Sequence, residues 1–314
     1  MQQREVRHVA VIGTGTIGAS WTAFFLARGL RVSASDPSPQ AEAQLRQFVD
    51  AAWPVLRELG AGPAAPPYEA LVFHADPEAA VAEADFVQEN APEREPVKQA
   101  LLARIDAVLP SEVIIASSSS GLLISRLQAA CRHPERCVIG HPFNPPHLIP
   151  LVEVVGGERT APATIEGALA FYKAIGKRPI HIRREVAGHV ANRLQAALWR
   201  EAVHLVAAGV ANVADIDTAI SEGPGLRWAL MGPHLTFHLA GGSGGMAHFL
   251  EQLGPPLESW WEDLGDPQLT PEVRQALTAG VSAEAEGRDI ATLAAERDRF
   301  LVDLLALKGA RRDA

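Results

Sequence analysis

The sequence predicts an α/β domain with a mainly parallel sheet, followed by a second domain made of helices alone. A compact apolar run at residues 7–12 leads into a glycine turn and then a helical apolar stripe, as in a strand–turn–helix unit. Short apolar runs then alternate with helical segments through the first half of the chain, which is typical of a parallel sheet. After Val190 the apolar spacing is helical throughout. We place the boundary near Glu185, with residues 1–185 in the first domain and 186–314 in the second.

Composition limits the classes of partner. Of the 314 residues, 47% are hydrophobic, which is sufficient for two cores. The formal net charge of −9 argues against nucleic acid or an anionic membrane, because phosphate groups bind basic surfaces. The sequence contains no run of about 18 apolar residues and no apolar signal core at its start, so a cytoplasmic location is expected. Cys131 and Cys137 fit neither a zinc spacing nor a disulfide framework; we expect reduced thiols and no metal site.

The turn between the first strand and the first helix has the spacing GxGxxG. After a strand and before a helix, such glycines permit a tight turn and a close approach of backbone N–H groups to a pyrophosphate. The residues predicted to contact this dinucleotide are Gly13, Gly15, Thr16, Ile17 and Gly18. Asp36 ends the next strand, where a carboxylate would hydrogen-bond the ribose hydroxyls and repel a 2′-phosphate. The predicted cofactor is therefore NAD and not NADP.

A histidine and a carboxylate stand out later in the α/β domain. His141 ends one apolar run and enters a proline-rich turn. Glu153 lies within the apolar run 151–155, where a buried strand is expected to be aliphatic. Burying a carboxylate without a partner costs several kcal/mol, so we predict that Glu153 meets His141 and orients its ring. From these residues alone, a purely structural His–Glu pair is the alternative.

Two further polar segments follow predicted strands. Four serines at residues 117–120 come after the strand 113–116, at the carboxyl edge of the sheet where ligands of such folds collect. A flexible turn is the alternative for a serine run. Glu93 and Lys98 belong to a charged segment that opens a helix, which is either part of a site or a solvated first turn.

In order and spacing, these pieces resemble the 3-hydroxyacyl-CoA dehydrogenase superfamily over essentially the whole chain. The matching motifs are GxGxxG with Asp36, Glu93 with Lys98, the serine run, His141-Pro-Phe-Asn-Pro, Leu151-Val-Glu-Val-Val and Asn192-Arg193-Leu194. The resemblance implies a Rossmann-type NAD domain, an all-helical C-terminal domain and a substrate held between them. One departure is Ala187-Gly188-His189, where the family usually has Pro-Gly-Phe.

The resemblance also implies the roles of individual residues. Ser120, His141, Glu153 and Asn192 correspond to the catalytic set, and Glu93 and Lys98 lie along the NAD site. In this scheme His141 takes the hydroxyl proton of the substrate and Glu153 fixes its tautomer. Ser120 and Asn192 hydrogen-bond the substrate oxygen as it becomes a carbonyl.

Within the superfamily, the chain is more similar to the branch that acts on free hydroxy acids. This branch includes carnitine 3-dehydrogenases and the gulonate 3-dehydrogenases related to lambda-crystallin. The stretches that carry the similarity are residues 118–121, 198–202, 225–232 and 239–246. The implied reaction is NAD-dependent oxidation of a free 3-hydroxy carboxylate, foremost carnitine, to the 3-oxo acid. A short-chain 3-hydroxyacyl-CoA dehydrogenase or an L-gulonate 3-dehydrogenase is the alternative; a non-catalytic crystallin-like protein has no need of the complete catalytic set.

A free carboxylate substrate favours an arginine partner, because a guanidinium makes a bidentate bond to a carboxylate. Arg227, in a glycine-flanked turn, is the predicted substrate residue, with a surface ion pair as the alternative. Aromatic faces that could recognise a quaternary ammonium, or that could belong to the core, are those of Trp199, Trp228, Phe237, Trp260 and Trp261. The resemblance further implies a homodimer formed through the helical domain.

Overall fold

The structure, a computed structural model, describes residues 5–310. The strands of this described part form one sheet in the order β3-β2-β1-β4-β5-β6-β7-β8, in which only the β6–β7 pair is antiparallel. Their bounds are β1 His8–Ile12, β2 Arg31–Ser35, β3 Leu71–His74, β4 Phe86–Glu89, β5 Ile114–Ser117, β6 Cys137–Pro142, β7 Leu151–Gly156 and β8 Arg178–Ile182. The predicted Rossmann-type sheet followed by helices alone is confirmed.

The helices before the second unit are α1 Thr16–Ala27, α2 Ala41–Glu58, α3 Pro77–Val81, α4 Glu95–Asp106, α5 Ile124–Leu127 and α6 Pro162–Ala174. The later helices are α7 Ala191–Ala207, α8 Val213–Ser221, α9 Pro224–Trp228, α10 Pro233–Ala240, α11 Gly245–Asp263, α12 Pro271–Glu284 and α13 Ile290–Ala310. Within the described range, none of these helices combines the length and apolarity needed to cross a membrane.

The chain divides into two compact units. The first contains residues 5–192 together with Asp298–Ala306, and the second contains Arg193–Arg297 and residues 307–310. The first unit thus extends past the expected boundary near Glu185. The physical reason is that the backbone N–H groups of residues 190 and 191 donate hydrogen bonds into the sheet, to the carboxylate of Glu153.

The sheet of the first unit is covered on both faces, as a parallel sheet requires. Alternate residues of β1 enter different cores: Val9 and Val11 join one, and Ala10 and Ile12 join the other. The first core is dominated by aromatic side chains of α1 and α6, with Trp21 stacked at 5.0 Å on Phe25 and at 5.8 Å on Tyr172. The second contains aliphatic residues of α4 and α5, including Leu102, Ile105 and Leu127. These two cores hold the carboxyl ends of the strands in fixed positions.

The second unit is made of helices with an unusually apolar surface. Within it, α8 packs against α12, and α10 against α11, where Phe237 stacks on Phe249 at 4.7 Å. The exposed large apolar side chains of this unit include Leu194, Trp199, Leu226, Trp228, Leu235, Leu239, Leu250, Trp260 and Trp261. All five aromatic residues weighed as cation binders or core residues are among the exposed ones. Phe237 still packs on the buried Phe249, whereas the four tryptophans are left exposed by the packing of their own unit.

Candidate active site

The glycine turn lies between β1 and α1, and two of its glycines are required by the protein itself. Gly13 has φ +87, and a Cβ there would lie 2.8 Å from the backbone of Asn90. A Cβ at Gly18 would lie 1.8 Å from the Gly13 carbonyl oxygen. A Cβ at Gly15, by contrast, would meet no protein atom within 4 Å. Protein packing therefore does not explain why position 15 lacks a side chain, whereas the close approach of a pyrophosphate does.

Asp36 lies at the carboxyl end of β2, beside this turn. Its Oδ2 accepts a hydrogen bond from the backbone N–H of Thr14 at 2.9 Å, and its Oδ1 accepts one from Ser38 at 3.0 Å. The Thr14 hydroxyl is buried without a hydrogen-bond partner among the described residues. Thr16 is exposed and Ile17 half-buried at the N-terminus of α1, where backbone N–H groups favour an anion. These residues fit NAD: the turn would hold the pyrophosphate and Asp36 the ribose hydroxyls.

We expect the enzyme to use NAD better than NADP by at least about tenfold in kcat/KM, since a carboxylate beside a 2′-phosphate disfavours binding by about 1.4 kcal/mol or more. Steady-state rates with each cofactor measure this ratio. Asp36→Ala should narrow the gap, mainly by weakening NAD, whereas Glu69→Ala, at another exposed acid of the same unit, should leave it unchanged. Equal use of both cofactors by the unmodified protein would contradict the role of Asp36.

A buried ion pair lies at the carboxyl end of β4. The ammonium group of Lys98 contacts the two Glu89 oxygens at 2.8 and 3.0 Å, and both side chains are buried. Ser117, at the end of β5, donates to Glu89 at 2.5 Å. Lys98 lies 3.7 Å from Glu93, so the two predicted cofactor residues are neighbours. Sequence reasoning missed Glu89, which ends β4 directly after Gln88 and so gives a weaker signal than Glu153 within its aliphatic run.

Glu93 organises the serine run. One oxygen of its carboxylate accepts hydrogen bonds from the Ser119 hydroxyl at 2.6 Å and from the backbone N–H groups of Ser120 and Gly121 at 2.9 and 3.1 Å. Burial acts to raise the pKa of Glu93, but the Ser119 hydrogen bond and the charge of Lys98 outweigh it and lower the pKa. The serine run is therefore held by the Glu93 carboxylate and is not a loose turn. Glu93 in turn is bonded within the chain and is not merely a solvated residue at the start of a helix.

His141 and Glu153 face each other across the antiparallel β6–β7 pair. Nδ1 of His141 lies 2.9 Å from Glu153 Oε2, and Glu153 is fully buried. The second oxygen, Oε1, accepts the backbone N–H groups of Val190 and Ala191, both at 2.9 Å. Burial acts to raise the pKa of Glu153, but these hydrogen bonds outweigh it, so its pKa is lowered and the group stays a carboxylate.

A carboxylate accepts hydrogen bonds only, so Nδ1 of His141 carries a proton, and in the neutral ring the lone pair lies on Nε2. This is the arrangement of a general base that is oriented by a second group. The predicted contact between His141 and Glu153 is thus present, because the register of β6 and β7 places the two residues opposite each other.

The two remaining predicted catalytic residues adjoin each other. Ser120 is exposed, and its hydroxyl makes no hydrogen bond to another described residue. Asn192, in the first turn of α7, donates from Nδ2 to the Ser120 carbonyl oxygen at 3.3 Å. His189, three residues earlier, contacts the Ser119 carbonyl at 2.9 Å and was not predicted as a member of the site. The sequence indicated this residue only through Ala187-Gly188-His189, which departs from the Pro-Gly-Phe that is usual in the family.

Arg227 lies in α9 of the second unit. Its side chain is exposed and makes no hydrogen bond or ion pair with another described residue, so the surface ion pair considered as its alternative is not formed within the described chain. No group of three or more metal-ligating side chains occurs in residues 5–310.

The site therefore combines the glycine turn with a histidine oriented by a carboxylate at one edge of the sheet, where the parallel strands β1, β2, β4, β5 and β6 all end. This fold and site define an NAD-dependent dehydrogenase that acts on a CH–OH group. Models of two family domains match the chain: the NAD binding domain of 3-hydroxyacyl-CoA dehydrogenase at residues 8–186, and its C-terminal domain at residues 188–285. The chain belongs to the 3-hydroxyacyl-CoA dehydrogenase family.

Several relatives are similar over nearly their whole length. An L-carnitine dehydrogenase of Streptomyces coelicolor is 55% identical, covering 97% of this chain and 95% of the relative. One of Bacillus cereus is 48% identical, covering 98% and 94%. Among solved structures, a 5-formyl-3-hydroxy-2-methylpyridine 4-carboxylic acid 5-dehydrogenase, described as an NAD+ dependent dismutase, is 34% identical with a TM-score of 0.83, covering 96% of this chain and 98% of that one.

Proposed function

We propose that this protein is an L-carnitine 3-dehydrogenase, which oxidises the 3-hydroxyl of a free carboxylic acid to a 3-oxo group with NAD. The observation that carries the proposal is near full-length similarity, at 48–55% identity, to relatives named L-carnitine dehydrogenase from Streptomyces and Bacillus. The oriented base at His141 supports the same reaction, because oxidation of an alcohol requires removal of the hydroxyl proton.

In the proposed mechanism, the unprotonated Nε2 of His141 accepts the substrate hydroxyl proton. Bound NAD supplies the hydride acceptor. The imidazolium that forms is stabilised by Glu153, whose carboxylate is already held at 2.9 Å and whose lowered pKa keeps it charged. The exposed Ser120 hydroxyl and the Asn192 amide next to it would donate hydrogen bonds to the substrate oxygen as it becomes a carbonyl.

The arginines of both units favour a free acid over a CoA thioester as the substrate. On α2, Arg46 bonds Glu42 at 2.8 Å, and Arg57 reaches the Ala64 carbonyl at 3.5 Å, so the cations of this helix are engaged within the chain. Arg227, in contrast, has an exposed guanidinium without a partner among the described residues. A guanidinium in this state suits a substrate carboxylate.

The proposal is tested by following NADH formation with L-carnitine, L-gulonate, 3-hydroxybutyrate and 3-hydroxybutyryl-CoA under identical conditions. We expect the highest kcat/KM with L-carnitine. A preference for the CoA thioester would replace the proposal by a 3-hydroxyacyl-CoA dehydrogenase, and a preference for gulonate would assign the protein to the other free-acid class.

We also propose a cytosolic homodimer. The reduced pair Cys131 and Cys137, with sulfur atoms 3.8 Å apart, suits a reducing compartment. The exposed apolar side chains of the second unit support a subunit interface, because monomers rarely leave so many large apolar groups in water. Trp260 and Trp261, on α11, are 61% and 64% exposed and are the most exposed tryptophans among them.

Sedimentation equilibrium should give about twice the chain mass of 33.5 kDa. Replacing Trp260 and Trp261 by glutamate should shift the protein towards monomer, since charges at an apolar interface lose hydration without a partner. Val72→Glu, at a 48% exposed position on β3, is the matched control and should remain dimeric. An unmodified protein that sediments as a monomer would contradict this prediction.

A further inference from the structure

His189 has an uncommon backbone and an incompletely satisfied side chain. Its φ is +52, in the left-handed region that residues other than glycine rarely adopt. The side chain is 1% exposed, and its ring lies 5.2 Å from that of His141. Conformations of this kind persist where the surrounding structure enforces them, often at functional sites.

The hydrogen bonds of His189 determine its tautomer. Nε2 lies 2.9 Å from the carbonyl oxygen of Ser119, which can only accept, so Nε2 carries a proton. Nδ1 is buried and has no partner among the described residues. A protonated Nδ1 there would be a buried cation without a counter-ion in contact, which is costly. The geometry therefore describes a neutral imidazole with its lone pair on Nδ1.

His189 begins a short segment that joins three parts of the site. Its imidazole contacts Ser119, the next two backbone N–H groups contact Glu153, and Asn192 contacts Ser120. The donor on His189 therefore holds the peptide that leads directly to Ser120, whose hydroxyl makes no hydrogen bond to another described residue. Holding that peptide limits the positions from which the hydroxyl can donate to a substrate oxygen.

We propose that His189 is a positioning residue for the reaction: its neutral imidazole fixes the Ser119 carbonyl, and hence Ser120, and it lies beside His141 without carrying a charge. The proposal rests on the proposed function, because it assigns His189 to the same dehydrogenase site. An uncharged neighbour matters because His141 becomes an imidazolium during turnover, and a second imidazolium at this distance would oppose that step.

Three titratable groups face the His189 ring: His141, Glu153 and Glu93. Burial lowers the pKa of His189 and is the largest effect; the Ser119 carbonyl and the two carboxylates act to raise it, and the charge of His141 acts to lower it. The net pKa is lower than usual. The lowered pKa favours the neutral ring of His189, in agreement with its hydrogen bonds.

The tautomer is measured without any substrate, by long-range ¹H–¹⁵N correlation spectra of histidine-labelled full-length protein. The His189 signals are those absent from His189→Gln. We expect a neutral ring with its proton on Nε2 between about pH 7 and 8, above the ordinary pKa of histidine. An imidazolium in that range, or a proton on Nδ1, would overturn the proposal whether or not the enzyme oxidises carnitine.

Kinetics test the positioning role. His189→Phe keeps an aromatic ring but removes the donor, and should lower kcat about tenfold while KM for NAD changes less than about twofold. His189→Gln retains an N–H donor and should recover kcat to within about threefold of the unmodified enzyme. His181→Gln, at an exposed histidine on β8, is the matched control with unchanged kinetics.

Two outcomes contradict the proposal. The first is equal kcat for the phenylalanine and glutamine variants at equal thermal stability, since the glutamine variant keeps the N–H donor that the phenylalanine variant lacks. The second is an acidic limb of kcat/KM with a slope of about two that becomes one in His189→Gln, which would show that His189 ionises with His141. A protein inactive with carnitine but active with another hydroxy acid would overturn the proposed substrate and leave these comparisons intact.

Discussion

Replacement of His141 by alanine should lower kcat by a factor of about 10²–10⁴ while leaving NADH affinity close to that of the unmodified enzyme. We propose that the imidazole acts on the substrate proton, which Nε2 of the neutral ring can accept because Nδ1 holds its own proton towards the buried Glu153 at 2.9 Å. The cofactor residues, in contrast, lie at the glycine turn and Asp36. Steady-state kinetics and NADH fluorescence titration measure the two quantities separately.

Glu153→Gln is the companion variant. It should lower kcat less than His141→Ala does, because the base remains but its imidazolium loses a negatively charged partner. Near-normal turnover of His141→Ala would place the base elsewhere. His189 and His147 would be examined next, although Nδ1 of His147 already lies 2.8 Å from the Ser20 hydroxyl.

Replacement of Arg227 by alanine should raise KM for a free 3-hydroxy acid by more than about tenfold, with a smaller fall in kcat. Hydrogen bonds to charged groups contribute about 1.5–3 kcal/mol, and a carboxylate remote from the reacting carbon is bound alike in ground and transition states. Loss of such uniform binding changes mainly KM. The guanidinium of Arg227 is exposed and has no partner within residues 5–310, which leaves it available for this contact.

The conservative variant and a modified substrate provide the controls. Arg227→Lys should recover only part of the affinity, because an ammonium group cannot form the planar two-bond contact. Arg274→Ala, at an exposed arginine of the same unit, should leave KM unchanged. Each variant should be assayed with the acid and with its amide. If Arg227→Ala weakens both substrates equally, Arg227 has a structural role, and the acyl-CoA alternative regains support.

The main features of the fold could be predicted because they depend on local periodicity. Apolar runs that alternate with helical stripes indicated the parallel sheet, and the GxGxxG turn followed by Asp36 indicated the dinucleotide site. The carboxylate on an aliphatic strand correctly indicated that Glu153 has a polar partner, because an isolated buried charge is too costly to persist. The helical spacing after residue 190 likewise indicated the all-helical second half.

Prediction was weaker for two groups of residues. Glu89 ends β4 directly after Gln88, so it does not interrupt an aliphatic run, and its partner Lys98 lies in α4. The burial of this pair became known only from the packing of the strand and the helix. The aromatic residues of the helical half are different. Their spacing is equally compatible with a core, a ligand site or an interface, and their exposure became known only from the packing of the unit.

The sequence by itself determined the order of elements, the dinucleotide turn and the choice of His141 and Glu153, since each follows from residue type and short spacing. Only the tertiary structure decided that the Val190 and Ala191 N–H groups hold Glu153, and that His189 reaches the Ser119 carbonyl 70 residues away. Backbone N–H and carbonyl groups are the same at nearly every position, so their partners leave no trace in composition or periodicity. Those partners depend on strand register and on where the chain turns back onto the sheet.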